Sequence, residues 1–306
     1  MVGVLIGFAI IGSIIAVGYA IGRAGLLGSG ARTVLGRLAF FVLSPCLLFT
    51  VLLEADVRSL FSSLLLASAI AAVASALLFA AVALLLWRRR LPEAVLGSLA
   101  SGYVNAGNIG LPVAVYVLGD PAYSAPVILL QLLVLAPVAL TLLDVSTHGS
   151  VSARRILLQP VRNPLLIGSA LGVALSLAEI RPPEALLEPF ELVGAAAVPV
   201  MLLAFGMSLH GQRPLAPGSG RRDILLATGL KLAVMPAVAA LAGIALGLEG
   251  EQLYAVTVLG ALPTAQNVFN YAQRFDRGLI VTRDTVLLTT VGSLPVLLLV
   301  ALVLHP

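Results

Sequence analysis

Long apolar runs, each about the length of a membrane crossing, alternate with short polar links along almost the whole chain. A helix that spans a bilayer needs about 20 mostly apolar residues. The pattern predicts ten such spans: Val2–Ile21, Val34–Leu53, Leu60–Trp87, Ala94–Leu118, Ala122–Leu143, Asn163–Glu179, Pro189–Leu209, Ile224–Leu246, Gln252–Arg274 and Val281–Leu304. The links, Val145–Arg162 and Gly211–Arg222 among them, are too short to hold an inserted soluble domain. The stretch Met1–Tyr19 has neither a basic leading region nor a small-residue cleavage site, so a retained helix is expected rather than a signal peptide.

Two runs are interrupted. The fourth contains Asn105-Ala-Gly-Asn-Ile-Gly-Leu-Pro112, and the ninth contains Leu262-Pro263-Thr-Ala-Gln-Asn-Val-Phe-Asn-Tyr271. Amides, glycines and proline at this density cannot continue a regular apolar helix. Freed backbone groups cost several kcal/mol each in lipid, so such breaks survive only where they are buried in protein or line a cavity. Prolines also recur in register: Pro45 and Pro199 lie 154 residues apart, Pro112 and Pro263 151, and Pro137 and Pro295 158. Leu111-Pro-Val-Ala114 parallels Leu262-Pro-Thr-Ala265, and Pro45-Cys-Leu-Leu48 resembles Pro199-Val-Met-Leu202. The expected fold is an all-α membrane protein of ten transmembrane helices. They form a 5+5 inverted repeat, about 1–146 and 160–306, with two broken helices, spans 4 and 9, that cross.

Composition sharpens the class. Of 306 residues, 60% are hydrophobic and 10% charged, against roughly 25% charged in soluble domains. Soluble, disordered and nucleic-acid-binding classes are thereby excluded. The net charge of +4 reflects topology. Arg23, Arg32, Arg37, Arg88, Arg89, Arg90, Arg154, Arg155, Arg162, Arg213, Arg221, Arg222, Arg274, Arg277 and Arg283 all fall in or beside alternate links, leaving Arg58 and Arg181 opposite and Lys231 within a span. Clustered arginine marks the cytoplasmic side, so both termini are expected outside the cytoplasm, in the cell (inner or plasma) membrane. The outer links are acidic, with Glu54, Asp56, Asp120, Glu179, Glu184, Glu188, Glu249 and Glu251. Cys46 is the single cysteine, so no intrachain disulfide and no cysteine zinc site can form.

The chemistry gathers at the two breaks. Proline is tolerated in a first helical turn, so Pro112 and Pro263 are each expected to begin a second half-helix. A half-helix N-terminus carries partial positive charge and unpaired N–H groups. Two of them in one cavity would attract an anion such as a carboxylate without a fixed cation. Asn105, Asn108 and Gly110 precede the first proline; Thr264, Gln266, Asn267 and Asn270 follow the second. Amides both donate and accept, and they equally serve to bond helices together. Together these residues are the candidate substrate site. Lys231 can either snorkel to the interface or take a pairing, coupling or substrate role. Gln131 is a lone polar residue suited to helix–helix bonding. His148, His210 and His305 lie in links or at the terminus, Asp144 lies at the inner end of span five, and no nucleotide-binding loop occurs. An enzyme and an ATP-driven pump are therefore disfavoured, and no metal or cofactor is expected, sodium or proton coupling staying open.

On the residues Asn105–Pro112, the following Tyr116 and Gly119-Asp120, and Leu262–Tyr271, the chain resembles the auxin efflux carrier family over nearly its whole length. This family shares a fold with bile acid:sodium symporters. The resemblance implies a scaffold from spans 1, 2, 6 and 7 that dimerises, and a mobile crossover domain from spans 3–5 and 8–10. It also implies elevator-type alternating access and organic-anion substrates, auxin-like or small mono- and dicarboxylates. It carries Asn105, Asn108 and Pro112 onto the first crossing motif, and Pro263 and Asn267 onto the second. The plant members' long central loop is missing, which counts against auxin itself. The alternatives are a sodium-coupled organic-anion symporter of the same fold and a non-transporting membrane sensor. The expected partners are a small organic anion, the lipid bilayer and a second copy of the chain, with no nucleic acid.

Overall fold

The computed structural model describes residues 2–28, 30–55, 63–148, 163–210 and 220–304. Arg58, Arg154, Arg155, Arg162, Arg213, Asp56 and His305 lie outside the described residues. The described helices are α1 (Val2–Ala24), α2 (Ala31–Glu54), α3 (Leu65–Leu86), α4 (Leu91–Gly102), α5 (Ala106–Leu118), α6 (Pro121–Thr147), α7 (Pro164–Leu177), α8 (Glu184–Leu209), α9 (Arg221–Ala245), α10 (Gly250–Ala261), α11 (Gln266–Phe275) and α12 (Leu279–Leu304). No strand forms among the described residues. Among the described residues six helices, α2, α3, α6, α8, α9 and α12, are long and apolar enough to cross a membrane. Large apolar side chains such as Leu77, Leu85, Leu192, Leu241, Val291 and Leu302 are exposed. That is anomalous for a surface in water and expected for one in lipid. The architecture is that of a multi-pass membrane protein.

The chain divides into two compact units. The first comprises Met1–Phe61, Gly107–Ile128 and Leu157–Gln212, and the second Ser62–Ala106, Leu129–Ile156 and Arg213–Pro306. Unit 1 is built on backbone-close glycine contacts. Gly206 of α8 faces the Ile15 carbonyl of α1, and Gly18 of α1 faces Leu203 of α8. Gly168 and Gly172 of α7 face Pro45 and Phe49 of α2. Lipid supplies no hydrophobic drive between helices, so small residues that let backbones approach are what hold such interfaces. Gly7 of α1 likewise lies against the Tyr116 backbone of α5. Unit 2 has a conventional core in which Phe79, Leu96, Leu99, Tyr103, Leu140, Leu143, Leu230, Val268 and Phe275 form one buried cluster.

The prolines leave a local signature. Wide helical turns at Val82–Leu86 and Ala114–Leu118 have no proline two residues on, but four others do: Ala39–Leu43, Ala106–Gly110, Gln131–Leu135 and Leu230–Val234. Each of these four ends two residues before a proline: Pro45, Pro112, Pro137 and Pro236. The residue preceding three of these prolines donates to the fifth residue back, Ser44 to Ala39, Ala136 to Gln131 and Met235 to Leu230. A proline offers no N–H, and its ring collides with the carbonyl four residues earlier. One extra residue in the turn moves that carbonyl aside.

Two expectations are corrected here. Pro112 does not begin a half-helix: α5 starts at Ala106, and its wide first turn lets Pro112 sit inside the helix. Pro263 does not begin one either. Leu262 is extended (ψ 150°), and α11 starts at Gln266 behind an extended Ala265. The backbone there is occupied by pairing with another segment, which overrides proline's local preference for a first turn.

Candidate substrate site

Both expected breaks are present, and in unit 2 they meet. The first is Tyr103–Asn105, between α4 and α5; the second is Leu262–Ala265, between α10 and α11. Asn105 N–H donates to the Pro263 carbonyl at 2.8 Å, and Ala265 N–H donates to the Tyr103 carbonyl at 3.0 Å. These two bonds frame a single antiparallel bridge between Val104 and Thr264. Two unwound segments thus satisfy each other, as buried backbone requires.

Side chains supply further bonds at and beside the breaks. Thr264 Oγ1 donates to the Ala100 carbonyl at 2.5 Å, and Thr264 N–H donates to Thr289 Oγ1 of α12 at 3.0 Å. Gln131 Nε2, from α6, donates to the Val104 carbonyl at 2.9 Å. Lys231 Nζ, from α9, donates to the Gly260 carbonyl at 2.7 Å. Gln131 and Lys231 both sit in wide turns, and each caps a carbonyl beside one break. Lys231 is 0% exposed. The snorkelling expected as one alternative is therefore excluded, because the ammonium is held by a carbonyl at the end of α10. The helix-bonding expected of Gln131 is what its bond to Val104 provides.

The amides divide by position. Asn105 is buried, at 4% exposure. Gln266 is half-buried, and Asn267 and Asn270 are exposed. In α11 the apolar Val268, Ala272 and Phe275 are buried while Asn267, Asn270, Gln273 and Arg274 are exposed. The other candidates, Asn108, Gly110 and Pro112, lie on α5 within unit 1, Asn108 half-buried and the other two buried. Thr264 and Thr289 carry structural roles that the sequence signalled only faintly. The signal was a run of hydroxyls, Thr282, Thr285, Thr289 and Ser293, buried along the apolar α12. No group of three or more His, Cys, Asp or Glu able to hold a metal occurs among the described residues.

Comparison with known proteins identifies the family. The family model described as "Membrane transport protein" matches residues 4–144 and 147–301. The chain belongs to this family, that of the auxin efflux carriers. Among similar carriers is a Rhizobium meliloti (strain 1021) protein named "Putative malonate transporter", 29% identical over 230 residues, or 72% of this chain and 70% of the relative. Another is the Escherichia coli (strain K12) "Uncharacterized transporter YfdV", 28% identical over 200 residues, 62% of each chain. As a member of the auxin efflux carrier family the chain is a membrane transporter of a small molecule and not an enzyme.

Proposed function

We propose that this carrier moves small organic anions, with dicarboxylates of malonate size as the first substrates to test. The observation that carries this is the polar face of α11. Asn267 and Asn270 are exposed on a half-helix that starts at the bridged breaks of a membrane protein. Amides cannot face hydrocarbon cheaply, so this face lines a water-filled cavity. The uncapped N-terminus of α11, behind Ala265, adds donors and partial positive charge suited to a carboxylate. The malonate named for the Rhizobium relative is a small dicarboxylate and agrees.

The wider arrangement we propose has ten spans in two inverted halves. In it α4–α5 and α10–α11 act as single broken spans that cross at the Val104–Thr264 bridge. The scaffold is spans 1, 2, 6 and 7, which dimerises, and spans 3–5 and 8–10 move as an elevator. The division into compact units supports this grouping, except that 107–128 clusters with the first unit. The termini face away from the cytoplasm, on the arginine distribution. Purified carrier in liposomes should take up labelled malonate saturably, with a loss of at least about tenfold in Asn267→Ala and Asn270→Ala. Normal transport by both variants sinks the site assignment.

One observation favours a sodium-coupled version. Thr285 Oγ1 is buried with no hydrogen-bond partner, one turn from the Thr289 that holds Thr264. An unused hydroxyl oxygen near unwound backbone suits a sodium ion. Uptake that survives replacement of sodium by choline removes this version.

A further inference from the structure

Lys231 has a property that capping alone does not explain. Its side chain is fully buried, and its one hydrogen bond goes to the Gly260 carbonyl. The ion pairs among the described residues join Arg89 to Asp223, Arg274 to Asp144 and Arg283 to Asp284, and Lys231 takes part in none. An ammonium has three donors, and burying an ion without a counter-ion is costly. At the other break the same capping is done by Gln131, a neutral amide. Capping a freed carbonyl therefore needs a donor and no charge. The charge is surplus to the fold, and a surplus buried charge calls for an anion.

Its place says which anion. Gly260 lies in the last turn of α10, three residues before Pro263, which pairs with Asn105. At no more than about 3.5 Å per residue between Gly260 and Thr264, the ammonium lies within roughly 15 Å of the bridge. We propose that Lys231 is the fixed positive charge with which unit 2 selects anionic cargo, its counter-ion being the carboxylate of the substrate bound at the breaks. Lys231 does not touch the substrate; it acts through space, as a specificity-determining residue. This rests on the carboxylate-carrier function proposed above and adds a prediction that function alone does not make: the effect of Lys231 scales with the charge of the substrate.

The experiment is a pair of affinities, for malonate with two charges and monomethyl malonate with one, measured on purified wild type, Lys231→Gln and Lys231→Arg. Gln keeps a donor for Gly260, as Gln131 does for Val104. A unit charge at about 10–15 Å and an effective dielectric near 20 changes affinity roughly tenfold per substrate charge. Lys231→Gln should therefore bind monomethyl malonate about tenfold and malonate about 100-fold more weakly, and Lys231→Arg should stay within a few-fold of wild type. Equal losses for the two compounds, or no loss, overturn the proposal, since a merely structural residue would treat both alike. If Lys231→Gln does not fold, the test passes to Lys231→Arg, which must keep the preference for malonate over its monoester; loss of that preference overturns the proposal. Absence of any binding or uptake of malonate by the wild type instead sinks the substrate reading underneath.

Discussion

Thr264 shows how much one residue can hold at a broken helix. It is fully buried, its backbone forms one half of the bridge, its N–H goes to Thr289 and its hydroxyl goes to Ala100. Thr264→Val keeps the shape and removes the hydroxyl, leaving a buried carbonyl short of a donor. It should cost about 1–3 kcal/mol, read as a lower unfolding temperature in detergent, while Thr264→Ser should lose much less. Asn105, Asn267 and Asn270 were legible in the sequence because amides inside an apolar run are conspicuous. The duties of Thr264 and Thr289 were not. A threonine in a helix can satisfy itself on a carbonyl one turn back, as Thr289 also does with Thr285, so its presence alone does not reveal an outward contact.

Among the elements, proline and glycine do different work. Four prolines follow wide turns, and two of these turns carry the capping residues Gln131 and Lys231. Glycine sets the distance between α1 and α8. A Cβ on Gly206 would collide with the Ile15 carbonyl, a backbone atom with no rotamer to yield. Gly206→Val should therefore destabilise unit 1 by about 1–3 kcal/mol or more. Size-exclusion profiles of the solubilised protein will register this as loss of the monodisperse peak. A peak unchanged in position and thermal stability would mean the contact is slack. Apolar run length foretold a helical membrane protein, with six helices among the described residues long and apolar enough to cross, because hydrocarbon tolerates little else. The half-helices do not begin at the prolines: Pro112 lies inside α5 and Pro263 lies in the extended break. The chain resolves each proline by a wide turn or by strand-like pairing, and both depend on neighbours absent from the local sequence.

Across the whole molecule, charge placement yields two predictions. Arg89 grips Asp223 with two bonds, Nε to Oδ1 at 3.1 Å and Nη2 to Oδ2 at 2.6 Å, and joins the end of α3 to the start of α9. The Asp223 side chain is 8% exposed and that of Arg89 is 40% exposed. Arg89→Met strands a buried carboxylate, whereas Asp223→Asn leaves an arginine that can turn to water. The first substitution should lower the unfolding temperature more than the second, because the cost lies in the uncompensated buried ion; the reverse order would mean the pair is effectively solvated. Orientation is tested by labelling. In a Cys46→Ala background, a cysteine at Asp120 should react with a membrane-impermeant maleimide on intact cells, and one at Arg277 only after permeabilisation. Reversed labelling overturns the assigned topology.

By itself the sequence determined that this is a helical membrane protein and that two of its apolar runs break around amides and proline. It could do so because the cost of polar groups in hydrocarbon is a local, additive constraint that every residue in a span obeys. Tertiary structure alone decided that the two breaks pair through Val104 and Thr264, which hydroxyls and amides complete them, and that Lys231 is buried against Gly260. Those outcomes depend on which carbonyl lies within 3 Å of which donor. Residues more than 150 apart in the chain are brought to that distance by packing, which no periodicity within a span encodes.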